Sequence, residues 1–372
     1  MKRSDLWSRL GSRLGSRLAA VVDPFASPLR TSHYLELVNP LWGTHRRRAR
    51  VVSVWDETPT ARTLTLRPGR GWRRHRAGQH VRVGVPIGGT YHVRTYSISS
   101  PPERDDGCFT ITVNAAARGR VSRHLVRGVS PGDYLAVGLP QGEFVLPEAT
   151  PARPLFITAG SGITPVMSML RGYAARRDLP SIVHLHYAPH PHDVIFGKDL
   201  ATFGEAHDRY RLRLVFTRDG GGRSADRHFG AAQVEDACPD WRERDVWVCG
   251  PQGLLAAVEE HWRAAGLARK VHVERFHAAW ASLASDVAGG RVRFARSGVE
   301  VQTDGRTNLL RLAEDAGLNP PHGCRMGICH TCDVRLVSGC VRDLRSGAVV
   351  SDANGTIQLC VNAAAGDVEL EV

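Results

Sequence analysis

The sequence predicts a multi-domain fold, and three successive patterns along its 372 residues carry this prediction. Over residues 46–150, short β-type segments alternate with Pro and Gly turns, as in a small antiparallel β-barrel. Over 151–280, strands alternate with helices, which predicts a parallel sheet in an α/β domain. Over 291–372, four cysteines have the spacing of one metal centre, which predicts a separate module. Residues 1–45 form an N-terminal extension, and 281–290 form a linker.

The composition is that of an ordinary globular protein that binds no nucleic acid. Hydrophobic residues make up 42% of the chain and charged residues 23%. No apolar run approaches the ~20 residues that span a bilayer. The net charge of +12 comes mostly from arginines that are scattered rather than clustered with stacking aromatics. The cysteines do not form a disulfide framework, so we expect a cytoplasmic protein, and we expect a monomer.

A repeat in the N-terminal extension predicts a basic, amphipathic helix. Leu10, Leu14 and Leu18 recur every four residues on one face together with Trp7, and arginines occupy another face. The segment lacks the continuous apolar core of a signal peptide. Residues 6–22 fit an organellar presequence, a docking helix, a tail on the folded body, or a peripheral anchor at the inner membrane. The sequence leaves these alternatives open.

The predicted elements follow from runs of β-branched residues between turns and from helical periodicity. In the barrel region the predicted strands are Val51–Trp55, Thr63–Leu66, Val81–Val85, His92–Ile98 and Phe109–Val113, with a helix at Ser122–Val126. In the α/β region the predicted strands are Pro154–Thr158, Ile182–Tyr187, Leu212–Phe216, Val246–Cys249 and Val271–Phe276. The predicted helices there are Pro165–Arg176, Gly197–Phe203 and Gly253–Ala265.

The most specific motif is a cysteine pattern near the C-terminus. Its spacing is C-x4-C-x2-C with a distant fourth cysteine, formed by Cys324, Cys329, Cys332 and Cys360. Plant-type [2Fe–2S] clusters use this pattern, because two irons need four thiolates and one loop can supply three of them. Left-handed turns at Gly323 and Gly327 are expected to bring backbone N–H groups close to the sulfurs. A structural zinc site is the alternative, although such sites usually have two C-x2-C pairs.

Two motifs in the barrel region are suited to a flavin. Arg94, Tyr96 and Ser97 lie at the end of a predicted strand. There the arginine can pair with a phosphate, the tyrosine can lie against the flavin ring, and the serine can hydrogen-bond the polar edge of that ring. The segment Gly119–Ser122 opens the predicted helix, and a helix N-terminus binds anions such as a pyrophosphate. The alternative for the first motif is packing on a surface strand.

The predicted parallel sheet carries two motifs at the carboxyl ends of its strands. The first strand runs into a Gly-x-Gly turn and a proline at a helix start, formed by Gly160, Gly162, Thr164 and Pro165. This turn suits a dinucleotide phosphate, although it is shorter than the G-x-G-x-x-G fingerprint. A later strand ends in Cys249, Gly250 and Pro251, in the crevice where such sheets bind ligands. Cys249 either lies beside a nicotinamide or is a buried thiol at the end of its strand.

These five motifs occur in one order, and together they resemble the ferredoxin-NADP reductase superfamily with a fused C-terminal [2Fe–2S] domain. The resemblance implies a flavin-binding barrel, an NAD(P)-binding domain and an α+β ferredoxin domain with a β-grasp fold. It implies that the flavin is held by Arg94, Tyr96, Ser97, Thr112, Val113, Gly119, Val121 and Ser122. It places Phe276 near the flavin face and favours FAD, with FMN as the alternative.

The choice between NADPH and NADH depends on the residues that follow the third predicted strand of the sheet. Thr217 and Arg218 end that strand, and Arg223 and Arg227 lie in the next loop. A hydroxyl and a guanidinium here resemble the pair that NADPH-using relatives place on the 2′-phosphate. We therefore expect NADPH, with NADH as the alternative.

The order of the motifs predicts an NAD(P)H-dependent oxidoreductase that passes electrons to another protein. A nicotinamide gives two electrons as hydride, a [2Fe–2S] cluster takes one, and a flavin converts between the two. The histidines form no H-x-x-H metal pattern, and His186, His190 and His192 are expected at a loop edge. Oxygen activation is therefore expected in a partner iron oxygenase or desaturase.

One short segment of the sequence resembles other reductases and thereby indicates the electron acceptor. The lead-in over Tyr34–Trp42 is similar to that of reductases serving bacterial acyl-CoA desaturases or hydrocarbon hydroxylases. An acyl-CoA desaturase or alkane hydroxylase is therefore the first expected acceptor, and an oxygenase of the aromatic-ring or phenylacetyl-CoA type is the second. A competing class is a redox-sensing iron–sulfur binding protein, which would not need flavin and nucleotide motifs together.

Overall fold

The computed structural model describes residues 39–42, 47–87, 90–116, 119–147, 151–176, 179–218, 228–276, 289–327, 330–345, 347–351 and 355–372. The helix predicted over residues 6–22 lies outside these ranges, as do Cys329, Arg223, Arg227 and most of the predicted linker. Among the described residues, no helix is long and apolar enough to cross a membrane. Three sheets organise this part of the chain, in the order that the sequence predicts.

The first sheet contains β1 (Arg48–Asp56), β2 (Ala61–Pro68), β3 (His80–Ile87), β4 (Thr90–Ser97), β5 (Phe109–Asn114) and β6 (Tyr134–Val137). These strands pair in antiparallel fashion in the order β4-β3-β6-β1-β2-β5. Ile98, directly after β4, bridges Ile111 of β5 and so links the two ends of the sheet into a barrel. The five predicted strands are confirmed. Strand β6 was missed because four residues are too few to establish an alternating pattern.

Alternation of side chains explains the barrel core and the position of its helix. Along β2, Leu64 and Leu66 lie two residues apart and are fully buried on one face. Helix α1 spans Arg120–Arg127 and packs on the barrel through Val121 and Leu125, which are four residues apart. The barrel thus fixes the N-terminal end of α1, where the second flavin motif lies.

The second sheet contains β7 (Pro154–Ala159), β8 (Ile182–Ala188), β9 (Tyr210–Phe216), β10 (Asp245–Cys249) and β11 (Val271–Glu274). All pairs in it are parallel, in the order β11-β10-β7-β8-β9. The helices are α2 (Ile163–Arg176), α3 (Gly197–Ala206), α4 (Ala231–Ala237) and α5 (Gln252–Ala264). Every residue of β8 is buried, as expected for a parallel strand covered on both faces. The order of strands reverses between β7 and β10, which opens a crevice at their carboxyl ends.

The α/β domain differs from its prediction at several element ends and in one missed helix. Helix α2 begins at Ile163 after a 3-10 turn at Gly160–Gly162, so Pro165 is its third residue and not its first. Proline is tolerated there because the first N–H groups of a helix have no partner within it. Strand β11 ends at Glu274, before Phe276. Helix α4 was missed because seven residues give less than two full helical turns of pattern.

The third sheet contains β12 (Gly290–Phe294), β13 (Val299–Thr303), β14 (Asp333–Asp343), β15 (Val349–Val350), β16 (Thr356–Gln358) and β17 (Asn362–Leu370). The order is β13-β12-β17-β14-β15, with β16 paired to β14. Helix α6 (Leu309–Asp315) begins at Asn308, whose Oδ1 accepts a hydrogen bond from the Arg311 N–H at 2.7 Å. Strand β12 begins one residue inside the segment predicted as a linker.

A hydrogen-bonded polar group lies in the core of the parallel sheet. Thr158 Oγ1 lies 2.8 Å from both His184 Nε2 and His186 Nδ1, and His184 Nδ1 lies 2.8 Å from the Tyr210 hydroxyl. These side chains are buried, so the prediction that His186 lies at a loop edge is wrong. A strand buried on both faces shows no alternation that would separate inner from outer residues. Burial lowers the pKa of both histidines, to about 4 for His186.

We expect the protein to lose stability as the pH falls from about 7 towards 4. The folded state keeps His184 and His186 neutral, whereas the unfolded chain binds protons near the ordinary His pKa of about 6.5. The stabilisation is therefore present above that pH and is lost below it, with a slope of up to about 1.4 kcal/mol per pH unit for each histidine. Urea denaturation at several pH values, followed by tryptophan fluorescence, measures this slope.

The control for this prediction is His192→Gln, because the His192 side chain is exposed after β8 and takes no part in the buried hydrogen-bonded group. His186→Gln is expected to lower the slope by the contribution of one proton. A free energy of unfolding that stays constant across this pH range in the unaltered protein would contradict the prediction.

Candidate cofactor site

A cavity of about 850 Å³ lies where the three domains meet. Residues of β4, β5 and α1 line one side, the start of α2 and Phe276 line a second, and α6 and the cysteine loop line a third. The predicted site residues in its lining are Arg94, Tyr96, Ser97, Thr112, Gly119, Val121, Ser122, Thr164, Phe276 and Cys324. The fold therefore brings both barrel motifs and one cysteine of the cluster motif to a single space.

Arg94 on β4 is suited to an anion. Its Nη1 donates to the Val93 carbonyl at 2.7 Å, and within the described chain no carboxylate lies within ion-pair distance of it. Burial, and then the positive charge of Arg325, lower the pKa of Arg94 to about 10. A half-buried guanidinium without an ion-pair partner is costly unless an anion neutralises it. The site therefore fits a phosphate group.

The next residues of β4 fit the body of a flavin. The Ser97 hydroxyl is buried and has no hydrogen-bond partner among the described residues, so it is available to a polar ring edge. Tyr96 lies beside it in the lining, and burial raises the pKa of its phenol, which stays neutral. Thr112 lines the same space from β5, whereas the Val113 side chain points into the barrel core.

The loop before α1 is shaped by close contacts. The Ser122 hydroxyl accepts from the Ala116 N–H at 3.1 Å and donates to the Gly119 carbonyl at 3.4 Å. A Cβ at Gly119 would lie 2.4 Å from that hydroxyl, so any other residue would displace the Ser122 side chain. Ser122 thus holds the loop, and the first N–H groups of α1 stay available to an anion. Arg120, which the sequence analysis missed, adds a second guanidinium to the lining.

The two predicted nucleotide motifs form the crevice between the carboxyl ends of β7 and β10, where the order of strands reverses. A Cβ at Gly162 would lie 2.1 Å from the Cys249 carbonyl oxygen, so this glycine lets the two turns meet. Gly160 has φ +52°, a left-handed value that favours glycine. The Thr164 hydroxyl donates to the Ser161 carbonyl at 2.9 Å. Ser161 and Thr164 also line the cavity, which therefore borders the crevice.

Cys249 is fully buried at the end of β10, and burial raises its thiol pKa well above the ordinary value. Its thiol is therefore neutral and packs in the core of the nucleotide domain. Gly250 and Pro251 follow it, and a Cβ at Gly250 would lie 3.0 Å from Leu254 Cδ2. A place for Cys249 beside a nicotinamide stays a prediction.

Thr217 and Arg218 lie at the carboxyl end of β9, outside the lining of the cavity. Their N–H groups donate to the carbonyls of Ala188 and Pro189 at 2.8 and 3.0 Å, which ties the segment to the end of β8. The Arg218 side chain is exposed. An exposed guanidinium at this edge of the sheet is free to approach the outer part of a dinucleotide.

Three of the four predicted cluster ligands belong to the described chain. A side-chain hydrogen bond joins Cys332 and Cys360, which lowers the pKa of Cys332 to about 7 and raises that of Cys360. The Gly327 N–H donates to the Cys360 sulfur, and the Met326 N–H donates to Cys324 Sγ at 3.4 Å. Backbone N–H groups directed at cysteine sulfurs stabilise thiolates, as the ligands of a cluster require.

The backbone of the cysteine loop differs from its prediction at one glycine. Gly327 has φ +73°, as expected, but Gly323 is not among the described left-handed residues. Arg325 and His330 take left-handed values instead, φ +59° and +55°. These conformations are strained for residues with a Cβ, and they persist only where surrounding contacts impose them.

Contacts of Arg325 hold the loop against α6. Its Nη1 donates to Glu314 Oε2 at 2.9 Å, its Nη2 bonds to Glu314 Oε1, and the same Nη2 lies 2.9 Å from His322 Nε2. Arg325, Met326 and Cys324 all line the cavity, so the loop forms one of its walls. Glu314 could not be predicted from the sequence, because its partner Arg325 lies in another element.

Family comparisons agree with this arrangement. Residues 67–146 match an oxidoreductase FAD-binding domain, 156–260 an oxidoreductase NAD-binding domain, and 292–363 a 2Fe-2S iron-sulfur cluster binding domain. The chain is 43% identical over 349 residues to an NADPH oxidoreductase of Mycobacterium tuberculosis, covering 93% of this chain and 90% of that protein. It is 30% identical over 321 residues to the 3-ketosteroid-9-alpha-monooxygenase ferredoxin reductase component of Mycolicibacterium smegmatis, covering 80% and 88%.

The solved structure of a phthalate dioxygenase reductase has the same fold, with a TM-score of 0.61 and 24% identity over 87% of this chain and 97% of that one. The fold and the three domain matches define a flavin- and iron–sulfur-dependent oxidoreductase. The chain belongs to the ferredoxin reductase family whose members carry a C-terminal 2Fe–2S domain. The predicted resemblance is confirmed, and the 2Fe-2S match favours an iron–sulfur cluster over zinc.

Replacing Cys360 with serine is expected to abolish the visible absorbance of a [2Fe–2S] cluster and its EPR signal after dithionite reduction. The change removes one of the four thiolates that the two irons need. Cys340→Ser is the matched control, since Cys340 is a free, half-buried cysteine outside the motif. An unchanged cluster signal in Cys360→Ser would contradict the assignment.

Replacing Arg94 with glutamine is expected to weaken flavin binding by about 10- to 100-fold, because a charge-assisted hydrogen bond contributes about 1.5–3 kcal/mol. Arg67→Gln is the control, since Arg67 is exposed on β2 of the same barrel. Titration of the flavin-depleted protein, followed by quenching of flavin fluorescence, measures the dissociation constant. Equal affinities in the two variants would rule out the proposed contact.

Proposed function

We propose that the protein takes hydride from NADPH and delivers single electrons through FAD and a [2Fe–2S] cluster to a partner iron oxygenase or desaturase. The observation that carries this proposal is that Cys324 lines the same cavity as Arg94 and Tyr96. One cavity therefore joins the flavin motif to the cysteine loop. When bound, the flavin accepts hydride and gives single electrons, and the cluster takes one electron at a time.

We propose specific roles for the residues around the flavin. Arg94 and the first N–H groups of α1 bind the phosphates, with Gly119, Val121 and Ser122 shaping that end of the cavity. Ser97 and Thr112 hydrogen-bond the polar edge of the ring, beside Val113. Tyr96 and Phe276 lie against the ring and exclude water from it. The FAD-binding domain match supports FAD rather than FMN.

The nucleotide is proposed to bind along the carboxyl ends of β7, β9 and β10. The turn formed by Gly160, Gly162, Thr164 and Pro165 binds its phosphates, and Cys249, Gly250 and Pro251 border the nicotinamide. Thr217 and Arg218 bind the 2′-phosphate of NADPH. The similar mycobacterial protein is named an NADPH oxidoreductase, which supports this choice over NADH.

The four cysteines Cys324, Cys329, Cys332 and Cys360 are proposed to ligate the cluster. An acyl-CoA desaturase or alkane hydroxylase is the first proposed acceptor, and an oxygenase of the aromatic-ring or phenylacetyl-CoA type is the second. The similar reductase component of a steroid monooxygenase supports an oxygenase partner.

We further propose a cytoplasmic monomer that residues 6–22 bring to the inner membrane. Deletion of residues 1–30 tests this proposal. Unchanged membrane association of the shortened protein would contradict an anchoring role for residues 6–22.

An anaerobic titration with NADPH, and separately with NADH, tests the electron path. Flavin bleaching followed by the EPR signal of a reduced [2Fe–2S] cluster is the expected result. If dithionite produces that signal and neither nucleotide does, the proposed function is wrong and a redox-sensing protein is favoured. Copurification with a di-iron or Rieske-type oxygenase then tests the partner.

Replacing Arg218 with alanine is expected to raise the KM for NADPH by about 10-fold or more and to leave the KM for NADH nearly unchanged, because only NADPH has the 2′-phosphate that a guanidinium binds. Arg211→Ala is the control, since Arg211 is exposed on β9 itself. Steady-state rates with cytochrome c as acceptor measure both constants. An equal rise for the two nucleotides would contradict the assignment.

A further inference from the structure

A row of buried hydroxyl groups connects the cavity to a carboxyl group. Thr112 lines the cavity, and its Oγ1 lies 2.8 Å from the Oγ1 of Thr63. The Thr63 hydroxyl donates in turn to Glu57 Oε1 at 2.5 Å. The two threonines are register partners on β5 and β2, so pairing of the strands aligns them. Glu57, Thr63 and Thr112 thus form one continuous hydrogen-bonded row.

The row is shielded from bulk water along its length. Thr63 is 9% exposed and Thr112 is 4% exposed, whereas Glu57 is only half-buried. A side branch runs from Thr112 to Ser99 Oγ at 2.9 Å and on to Thr110 Oγ1 at 2.8 Å. Both residues of the branch are buried and carry no titratable group. The carboxyl of Glu57 is therefore the titratable end of the row.

Glu57 lies at the boundary between the barrel and the nucleotide domain. The backbone N–H of Phe196 donates to it, and the charged groups that face it are Asp199 of α3 and Arg171 of α2. Phe196 has φ +62°, and the Arg171 guanidinium lies 4.9 Å from the centre of its ring. Burial raises the pKa of Glu57, and the charge of Asp199 acts in the same direction. A carboxyl with a raised pKa both accepts and releases a proton more readily near neutral pH.

The direction of the hydrogen bonds depends on the charge of Glu57. When the carboxyl is ionised it only accepts, so Thr63 donates to it, Thr112 donates to Thr63, and Thr112 presents a lone pair to the cavity. When the carboxyl is protonated it donates, and Thr112 presents its O–H to the cavity. The two states differ by one proton passed along the row, which is how hydroxyl groups relay protons.

The proposed function leaves one proton inside the protein for every hydride. NADPH loses a hydride, which is two electrons and one proton, and the cluster exports the two electrons singly. One proton must therefore leave the cavity for each NADPH oxidised. We propose that this proton leaves through Thr112 and Thr63 to Glu57, and from Glu57 to solvent. The proposal rests on the proposed function and adds an exit route to it.

Two variants interrupt the row without changing the cavity lining. Thr63→Val replaces the middle hydroxyl with a methyl group of the same size, and Glu57→Gln replaces the carboxyl with an amide that cannot take up a proton. Thr63→Ser is the rescue variant, because it keeps the hydroxyl. Thr65→Val is the matched control: Thr65 lies two residues further along β2, on the same face, and is not part of the row.

The experiment follows electrons and protons together. Holoenzyme reduced with one equivalent of NADPH is mixed anaerobically with cytochrome c, in weakly buffered solution that contains a pH-indicator dye. The haem absorbance reports the two electrons, and the dye reports the proton. In the unaltered protein, Thr63→Ser and Thr65→Val, we expect the proton to appear together with the electrons. In Thr63→Val and Glu57→Gln, we expect its appearance to slow by at least about 10-fold.

A pH profile separates a relay from a purely structural role. The rate of proton appearance in the unaltered protein is expected to depend on pH through one ionisation, which Glu57→Gln removes and Thr65→Val keeps. Proton release at the normal rate in either Thr63→Val or Glu57→Gln would overturn the proposed route. If the unaltered holoenzyme does not reduce cytochrome c with NADPH, the proposed function itself fails, which is a distinguishable result.

Discussion

The ion pair between Arg325 and Glu314 is the interaction on which the geometry of the site depends. It joins the cysteine loop to α6, and it does so at a residue with φ +59°. Glu314 keeps its charge there, because hydrogen bonding to Arg325 and the positive charge of that side chain outweigh burial and lower its pKa. The ion pair thereby holds against α6 the loop whose Cys324 lines the cavity. Arg325 and Glu314 both line the cavity, so this contact fixes the shape of its ferredoxin side.

Electrostatics at the cavity favour a bound anion. Arg94, Arg120, Arg311 and Arg325 line it, and Glu314 and Asp315 balance part of their charge. The ion pairs of Arg325 with Glu314 and of Arg311 with Asp315 are internal to the ferredoxin domain. Arg94 on the barrel side has no such ion pair in the described chain. The cations that are left without a carboxylate in the described chain, Arg94 and Arg120, therefore both belong to the flavin motifs, which is the physical reason why a phosphorylated flavin fits this side of the cavity.

Different kinds of polar side chain line the two sides of the cavity. On the barrel side, the hydroxyl groups of Ser97 and Thr112 lie beside the arginines of the flavin motifs, whereas ion-paired side chains line the ferredoxin side. The hydroxyls continue inwards to Glu57, and the charged groups continue to the cysteine loop. The proposed proton route and the proposed electron path therefore leave the cavity in different directions.

The sequence by itself determined the domain order, the family and the classes of cofactor. It could do so because those features are written in residues close together along the chain, such as the C-x4-C-x2-C spacing and the Gly160–Pro165 turn. Only the tertiary structure decided that Cys324 and Arg94 share one cavity, that His186 is buried, and that Thr112 reaches Glu57 through Thr63. Such contacts depend on strand register and on the packing of domains, and neither has a local pattern in the sequence.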